Sequence, residues 1–463
     1  MINKQIEYIR KQQKLSQKEF AEQIGVSRQM VSDWERDISS PSIEKLIIIS
    51  NMFNISLDYL IKGVNYENKI KKESNIKDIF KISNINETNS FLFGKIGKMY
   101  VSTKENEMIG SSCVLGKSGS GKTRTIIIPN IYQMIKRNES GIVIDTKTEL
   151  WNKTKDALQA AEYNVKILNF SNYKQSVGWN IISFLADLYK KDIFYCEKYI
   201  DLICDYLISD KNIHHLEYVI FKTILHEMLS NDKIDKNTTT LLNFIKYSNL
   251  DSFLNYIKTL NSCNAGYMLN LVDKLSIKNA FENLTALLER FFNSPSCMNV
   301  FNTNEFNFQE LIDRKTIIFI QNNEFSDDIN ILNSMFIDLL TYYLYDYCPK
   351  ENKINLFLDE CCAMFKHLKT IKYLIKSTPI SPYNTIMCFQ SLYQLQMTDG
   401  EIRHFLNLFN NIIYLGTYSC YDSEFFSNLF DMETQNSEHE LFIMRNECPA
   451  QKIVKDFNII NIM

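Results

Sequence analysis

The stretch CVLGKSGSGKTRTIIIPN, residues 113–130, joins a short apolar run to a loop of Gly, Ser and Lys and then to an isoleucine-rich segment. This order predicts a strand, a loop and a helix that Pro129 is expected to end. The loop fits the spacing G-x-x-x-x-G-K-[ST], in which glycines let backbone N–H groups surround an anion at a helix N-terminus. The predicted phosphate-binding loop comprises Gly116, Lys117, Ser118, Gly119, Ser120, Gly121, Lys122, Thr123 and Arg124.

A phosphate loop needs an acidic partner at the end of another buried strand, and the stretch INLFLDECC supplies one. We expect Lys122 to reach the β- and γ-phosphates of ATP, and Thr123 to offer its hydroxyl to Mg²⁺. Asp359 would hold Mg²⁺ through water, and Glu360 would polarise the attacking water. Taken alone, an apolar run that ends in Asp-Glu also fits a cap of the following helix. Beside the phosphate loop, the pattern favours a site for ATP and Mg²⁺.

Two further strand ends carry polar side chains. The stretch GIVIDTKTEL ends a strand at Asp145, which Lys147 and Glu149 follow, and the alternative is a strand-to-helix turn with a solvated charge pair. The stretch TIMCFQSLYQL closes a strand at Gln390, whose amide can contact the γ-phosphate or the attacking water. The alternative for Gln390 is an ordinary polar residue at a strand end. The predicted catalytic residues are Lys122, Asp359, Glu360 and Gln390.

Short apolar runs alternate with helical patterns from about residue 91 onward. Such alternation is typical of an α/β domain with a mainly parallel sheet. The candidate strands are 112–115, 141–145, 165–169, 316–320, 354–358, 384–389, 412–416 and 441–444. Residues 186–295 carry helical patterns without a convincing strand, and they predict an all-α insertion between the two parts of this domain, 91–185 and 296–463.

The N-terminal residues 1–63 have apolar positions at helical spacing, and residues 64–90, rich in Lys, Asn, Glu and Ser, predict a linker. The stretch LSQKEFAEQIGVSRQMVSDWER has the spacing of a helix-turn-helix. Ala21 is the small residue where the helices touch, Gly25 allows the left-handed turn, and Val31 anchors the second helix. The second helix then exposes side chains that suit base edges in double-stranded DNA, and the preceding helix starts near a phosphate. The predicted DNA contacts are Gln17, Arg28, Gln29, Ser32 and Asp33. The alternative is a helical bundle used for protein contact.

Two resemblances to known families rest on these stretches. Residues 1–63 resemble the phage-repressor-type helix-turn-helix family, the xenobiotic-response-element group, through LSQKEFAEQIGVS and WERDISSPS. Residues 91–460 resemble the type IV secretion coupling proteins, the TraG/TraD-like ATPases of conjugation. This similarity runs, in the family's order, through GKSGSGKTRTIIIPNI, GIVIDTKTELW, NLFLDECCAMF, MCFQSLYQLQ and ELFIMRNECPAQKIVKDF. It implies a RecA-like P-loop ATPase that assembles as a hexamer and moves single-stranded DNA, with an attached relaxase, toward a secretion channel.

Three departures from the family's pattern bear on these expectations. The helix-turn-helix segment and linker stand where the family usually has N-terminal transmembrane helices. The family's Asp-Pro-Lys-Gly-Glu reads DTKTE here, which predicts a less rigid turn. The arginine that many relatives carry shortly before the Gln390 strand is missing, because Lys376 is the cation in LIKSTPISPYNT. Arg290 and Arg403 are the other candidates for an arginine that acts on a neighbouring subunit.

The composition bounds the partners and the compartment. The formal net charge of −3 gives no overall basic field, so nucleic-acid contact must come from local patches. Eleven cysteines without a C-x-x-C pair argue against a disulfide framework or a zinc site. Neither a signal peptide nor eighteen consecutive apolar residues is present. We therefore expect a cytoplasmic protein, for which any position at the inner face of the cell membrane would come through a partner.

Together these patterns favour an ATP-driven, coupling-protein-like motor that recruits and translocates DNA during conjugative transfer of a mobile element. In this interpretation the helix-turn-helix docks the motor on DNA. One alternative is a transcriptional regulator of a mobile element, in which the nucleotide switches oligomerisation. Another is a protein-secretion coupling factor, in which the helix-turn-helix binds a protein.

Overall fold

The computed structural model describes residues 2–12, 15–53, 76–104, 110–208, 214–247, 272–292, 294–321, 326–349, 351–370, 383–434, 439–446 and 448–456. Contacts divide the chain into two units, Met1–Asn75 and Ile76–Met463. Lys376 lies outside the described residues.

The N-terminal unit is a set of short helices: α1 (Ile2–Gln12), α2 (Gln17–Ile24), α3 (Arg28–Glu35) and α4 (Ile43–Phe53). Ser16 caps α2 and Ser27 caps α3, and each accepts a hydrogen bond from the backbone N–H three residues later. Gly25 adopts a left-handed conformation, with φ of 68°, which ends α2 and turns the chain toward α3. The core between the helices includes Phe20, Ala21, Ile24, Val31 and Trp34. The predicted helix-turn-helix is confirmed.

The second unit is built on a twelve-stranded sheet. In chain order the strands are β1 (Lys81–Ser83), β2 (Leu92–Ile96), β3 (Met99–Ser102), β4 (Ser111–Leu115), β5 (Ser140–Ile144), β6 (Asn164–Leu168), β7 (Thr316–Ile320), β8 (Ile354–Leu358), β9 (Tyr383–Phe389), β10 (Asn411–Tyr414), β11 (Glu440–Arg445) and β12 (Gln451–Val454). Across the sheet they run β1-β3-β2-β12-β11-β10-β4-β9-β8-β5-β7-β6. The part from β10 to β6 is parallel throughout. All eight predicted strands are confirmed, as β4 to β11.

Beside β10 the sheet continues as an antiparallel extension, and β11 is the member of it that the sequence predicts. Strands β11, β12, β2, β3 and β1 follow in turn, so the sheet is mixed rather than mainly parallel. The predicted linker 64–90 ends earlier than expected, because α5 (Ile76–Ile79) and β1 belong to the second unit. Phe80 is buried there against Phe93, a contact that the surrounding Lys, Asn and Glu residues conceal in the sequence. Residues 64–75 lie outside the described part of the chain.

Helices cover the sheet and form the insertion. They are α6 (Ile128–Lys136), α7 (Glu149–Ala160), α8 (Ile181–Lys191), α9 (Ile193–Leu207), α10 (His215–Ser230), α11 (Thr238–Tyr247), α12 (Lys274–Phe292), α13 (Pro295–Asn302), α14 (Glu310–Asp313), α15 (Asp327–Tyr347), α16 (Cys362–Phe365), α17 (Asp399–Leu406) and α18 (Cys420–Phe430). The helical stretch between β6 and β7 begins before and ends after the predicted 186–295, and its described residues contain no strand. No helix in the described ranges has the length and apolar character needed to span a bilayer.

The sequence predicts that the helix after the phosphate loop ends at Pro129, but in the structure the helix continues past it. Residues Lys122–Ile127 form a π-helical turn that leads into α6, and Pro129 lies in the first turn of α6. Proline is tolerated at that position because the N–H groups of a first turn lack a partner within the helix. The helix therefore continues to Lys136 and covers the sheet next to β4.

Candidate nucleotide site

The phosphate loop lies at the carboxyl end of β4, and the helical segment after it begins at Lys122. Gly119 and Gly121 have φ of 77° and 93°, a region that glycine enters without strain. At Gly116 a β-carbon would lie 2.4 Å from the Ser120 hydroxyl oxygen. Backbone conformation and close packing therefore both require the glycines of the motif.

The Lys122 side chain is buried and folds back over the loop. Its ammonium group donates hydrogen bonds to the carbonyl oxygens of Gly116 and Lys117, the second at 3.1 Å. The buried hydroxyl of Ser120 has no hydrogen-bond partner among the described residues. A cation, an unsatisfied hydroxyl and a helix N-terminus thus meet at this loop, and together they fit a polyphosphate. The exposed members of the predicted loop include Ser118 and Arg124.

Thr123 and Asp359, the two residues expected to hold Mg²⁺, come together from different parts of the chain. The Thr123 hydroxyl donates a hydrogen bond to Oδ2 of Asp359 at 2.9 Å. Burial raises the pKa of Asp359 to about 6, and the hydrogen bond from Thr123 offsets only part of that effect. A divalent cation would stabilise the charged carboxylate, and a carboxylate beside a hydroxyl supplies the hard oxygen ligands that suit Mg²⁺. The residues present therefore fit the predicted metal ion.

Glu360 has an unusual backbone conformation for a residue with a β-carbon, because its φ is 48°. Such conformations are costly and cluster at functional sites. Its Oε1 atom accepts a hydrogen bond from Nζ of Lys147 at 2.7 Å and lies 3.5 Å from Nε2 of Gln390. The structure thus brings two predicted catalytic residues, Glu360 and Gln390, to one place and adds Lys147 to them.

The turn after β5 explains how Lys147 reaches Glu360. The buried carboxylate of Asp145 accepts hydrogen bonds from the N–H groups of Leu150 and Trp151, at 3.1 and 2.8 Å. Asp145 therefore caps α7 and holds the turn, whereas the exposed Lys147 pairs with Glu360 rather than with Glu149. Strands β5 and β8 are parallel neighbours, so the turns that follow them meet. The contact between Lys147 and Glu360 therefore follows from the adjacency of β5 and β8, which cannot be seen in the linear sequence.

On the N-terminal unit, α3 exposes the side chains of Arg28 and Gln29. Ser32 and Asp33 are half-buried on the same helix. The Asp33 carboxylate accepts hydrogen bonds from Gln29 at 2.9 Å and from Arg36 at 3.0 Å. This surface network partly neutralises the acidic member of the predicted DNA contacts.

Gln17, the predicted phosphate contact, has a partner within the unit. Its amide donates a hydrogen bond to Oε2 of Glu35 at 2.8 Å, and Arg10 pairs with the same carboxylate at 2.6 Å. Burial alone would raise the pKa of Glu35, but the hydrogen bonds from Arg10 and Gln17 more than offset it and lower that pKa. The three side chains link α1, α2 and α3.

The two arginines considered for action on a neighbouring subunit are held by contacts within this chain. Arg290 forms a salt bridge with Asp328, at 2.5 Å. The Arg403 guanidinium lies over the ring of Phe425, 5.1 Å from its centre.

Residues 64–438 match the family described as type IV secretory system conjugative DNA transfer. The chain belongs to this family. The conjugative DNA transfer domain has the fold of the plasmid coupling protein TrwB in complex with ADPNP, at a TM-score of 0.60 and 11% identity over 82% of this chain and 93% of that one. VirB4 of Thermoanaerobacter pseudethanolicus is similar at a TM-score of 0.53 and 12% identity, over 81% of this chain and 98% of VirB4. The predicted RecA-like P-loop fold is confirmed.

The N-terminal part of this conjugative DNA transfer protein has separate relatives. Residues 6–60 match the helix-turn-helix family. The HTH-type transcriptional regulator YqaE of Bacillus subtilis is 32% identical over 99 residues, which are 21% of this chain and 79% of YqaE. The chain thus carries a regulator-type helix-turn-helix ahead of its DNA transfer domain.

Proposed function

We propose that this protein is an ATP-driven motor that recruits and translocates DNA during conjugative transfer of a mobile element. The observation that carries the proposal is the edge of the sheet where the phosphate loop, Asp359 and the paired Glu360 lie together. Binding of nucleotide with Mg²⁺ uses Asp359, but it needs no second carboxylate such as Glu360 at the same edge of the sheet. A positioned carboxylate next to a phosphate and metal site is what hydrolysis requires.

In the proposed reaction the chain positions ATP and the attacking water. Lys122 and the loop amides would neutralise phosphate charge, while Thr123 and Asp359 would hold Mg²⁺, which would supply a Lewis acid for the reaction. Glu360 polarises the water, and Gln390 orients the water or the γ-phosphate. Crystals of the neighbour TrwB contain ADPNP, or ADP and Mg²⁺, and these contents support ATP and Mg²⁺ as the ligands here.

The proposed partners follow from the two units. Double-stranded DNA is the partner of the N-terminal unit, through Arg28 and Gln29 on α3. Single-stranded DNA is the substrate of the motor, and a hexamer of this chain would pass it, with an attached relaxase, to a secretion channel. The family match supports the DNA transfer role. The chain is slightly acidic, so one copy alone should bind DNA weakly. Several copies joined in a hexamer would bind DNA more tightly. We place this activity in the cytoplasm, next to the membrane-bound channel.

A second candidate function is favoured by a different observation, the similarity of the N-terminal unit to a transcriptional regulator. In that case ATP binding switches oligomerisation and operator binding. Hydrolysis would then not be needed for function. The two candidates therefore differ in whether turnover, or only binding, is required.

The discriminating experiment is displacement of streptavidin from biotin-ended DNA by the wild type and by Glu360→Gln. A motor displaces streptavidin with ATP but not with a non-hydrolysable analogue, and the variant binds ATP without displacing streptavidin. A switch would bind its DNA equally well with ATP and with the analogue and would displace no streptavidin. The second pattern, with operator control retained in Glu360→Gln, would replace the motor by the regulator.

A further inference from the structure

The segment that leaves β10 packs directly on the phosphate loop. The backbone N–H of Lys117 donates a hydrogen bond to the carbonyl oxygen of Gly416 at 2.8 Å. A β-carbon placed at Gly116 would lie 3.1 Å from the β-carbon of Leu415. Strand β10 is the parallel neighbour of β4, so the turns after these two strands meet at one edge of the sheet. Residues just after Leu415 therefore lie beside the phosphate loop.

Tyr418 is the aromatic residue of this segment, and 79% of it is exposed. The ammonium group of Lys117 lies over its ring, 4.1 Å from the ring centre. Both chain neighbours of Tyr418 are anchored. Thr417 is buried, and Ser419 caps α18 by accepting a hydrogen bond from the N–H of Asp422 at 3.2 Å. The ring is thus held out into solvent from a fixed backbone, next to a residue of the phosphate loop.

We propose that Tyr418 is the platform on which the base of the bound nucleotide stacks. The proposal rests on nucleotide binding at the phosphate loop and adds the subsite for the base. The face of a base is apolar and poorly solvated by water. Stacking on an exposed aromatic ring removes from water one face of the base and the ring face that it contacts. Lys117 orients the ring by its contact with one face, which leaves ring surface for the ligand.

A stacking subsite should not distinguish one base from another. Stacking depends on the π-face that every base has, and it does not read the hydrogen-bonding edge. Tyr418 should therefore strengthen the binding of ATP and GTP by the same factor and contribute nothing to the binding of the triphosphate group. This separation of base and phosphate distinguishes a stacking platform from a residue that shapes the phosphate loop.

Tyr393 supplies a matched control within the same protein. It lies in the turn Leu392–Leu395 after β9, the other parallel neighbour of β4, and 83% of it is exposed. A general effect of removing an exposed tyrosine near this edge would appear in Tyr393→Ala as well as in Tyr418→Ala.

The test is calorimetric binding of ATP, GTP and inorganic tripolyphosphate, each with Mg²⁺, to the full chain. We expect Tyr418→Ala to weaken ATP and GTP about tenfold each, the loss of one stacked base, and to leave tripolyphosphate within about twofold. Tyr418→Phe should bind all three like the wild type, and so should Tyr393→Ala.

Three results would overturn the proposal. These are unchanged ATP affinity in Tyr418→Ala, a parallel loss of tripolyphosphate affinity, and an equal loss of ATP affinity in Tyr393→Ala. The Lys122→Ala variant separates this failure from failure of the underlying site. If Lys122→Ala binds ATP like the wild type, the phosphate loop itself is not the nucleotide site. If only the Tyr418 variants behave like the wild type, nucleotide binding stands and the base platform does not.

Discussion

The Thr123 hydroxyl donates a hydrogen bond to the Asp359 carboxylate at 2.9 Å and so connects the phosphate loop to the end of β8. Thr123→Val removes the hydroxyl while keeping the β-branched shape. We expect ATP affinity in the presence of Mg²⁺ to fall about tenfold or more, because a hydrogen bond to a charged group and a metal ligand are lost together. Calorimetry with and without a chelator measures this effect. Thr123→Ser should bind like the wild type. An equal loss with and without Mg²⁺ would show that the hydroxyl does not act through the metal.

The ion pair between Lys147 and Glu360 predicts a positioning role for Lys147. In Lys147→Met, Glu360 loses its 2.7 Å partner and keeps the longer 3.5 Å contact with Gln390, which holds it less firmly. We expect kcat for ATP hydrolysis to fall about tenfold. A positioned base contributes about 10²–10⁴-fold, and a base that is held less firmly should lose a part of that factor. The ATP dissociation constant should stay within about twofold, and Lys147→Arg should recover part of the rate. Lys153→Met, on the exposed face of α7, is the matched control. A drop in ATP affinity that accounts for the whole loss of rate would rule out this role.

The lowered pKa of Glu35 makes the stability of the N-terminal unit depend on pH. A carboxylate whose pKa is lower in the folded state stabilises that state above its ordinary pKa, 4.5, and loses the contribution as the pH falls through the folded value. Near neutral pH, Glu35→Gln should therefore reduce amide hydrogen-exchange protection of residues 15–36 in the full chain. The difference from the wild type should shrink as the pH falls below 4.5 and through the lowered pKa of Glu35.

Hydrogen-exchange mass spectrometry of the two proteins at matched pH measures this difference. Glu22→Gln is the control, because Glu22 is exposed on α2. A protection difference that stays constant from neutral to acid pH would mean that the charge of Glu35 is not what stabilises the helices.

Arg28 and Gln29 are the exposed side chains of α3 that we propose to read DNA. Each alanine substitution should weaken binding by about 1–3 kcal/mol and relax the preference at one base pair. The measurement is fluorescence anisotropy with double-stranded sites selected by the wild-type protein from random DNA. Gln23→Ala, an exposed glutamine on α2, should bind like the wild type. If the Arg28 and Gln29 variants bind DNA as tightly as Gln23→Ala and the wild type, α3 does not read the DNA bases.

The parallel strands β4 to β10 were predictable because most are continuous apolar runs. In the antiparallel extension β11 was predicted, but β1, β2, β3 and β12 were not, because they are short and mix polar with apolar residues. Their pairing joins distant parts of the chain, such as Val454 with Lys95. A contact of that kind depends on the folded sheet and leaves no local pattern.

The candidate site divides in the same way. Motif spacing gave Lys122 and Thr123, because a phosphate loop needs those residue types at those positions. The strand that ends in Asp359 supplied the acidic partner. Lys147 was noted at a strand end but its contact with Glu360 was not predicted, and Tyr418 was not singled out, because each contacts the site from a turn after a neighbouring strand. Their roles follow from strand order, which a single sequence does not display.

DNA-stimulated ATP hydrolysis by the wild type and by Lys122→Ala tests the motor most directly. The buried Lys122 ammonium group bonds to two loop carbonyl oxygens, so Lys122→Ala should lower the melting temperature somewhat but still fold, which a melting curve checks. We predict that DNA raises the hydrolysis rate of the wild type, and that Lys122→Ala hydrolyses almost no ATP with or without DNA. A folded wild-type protein whose hydrolysis ignores both single- and double-stranded DNA, or a Lys122→Ala variant with the wild-type rate, would contradict the account.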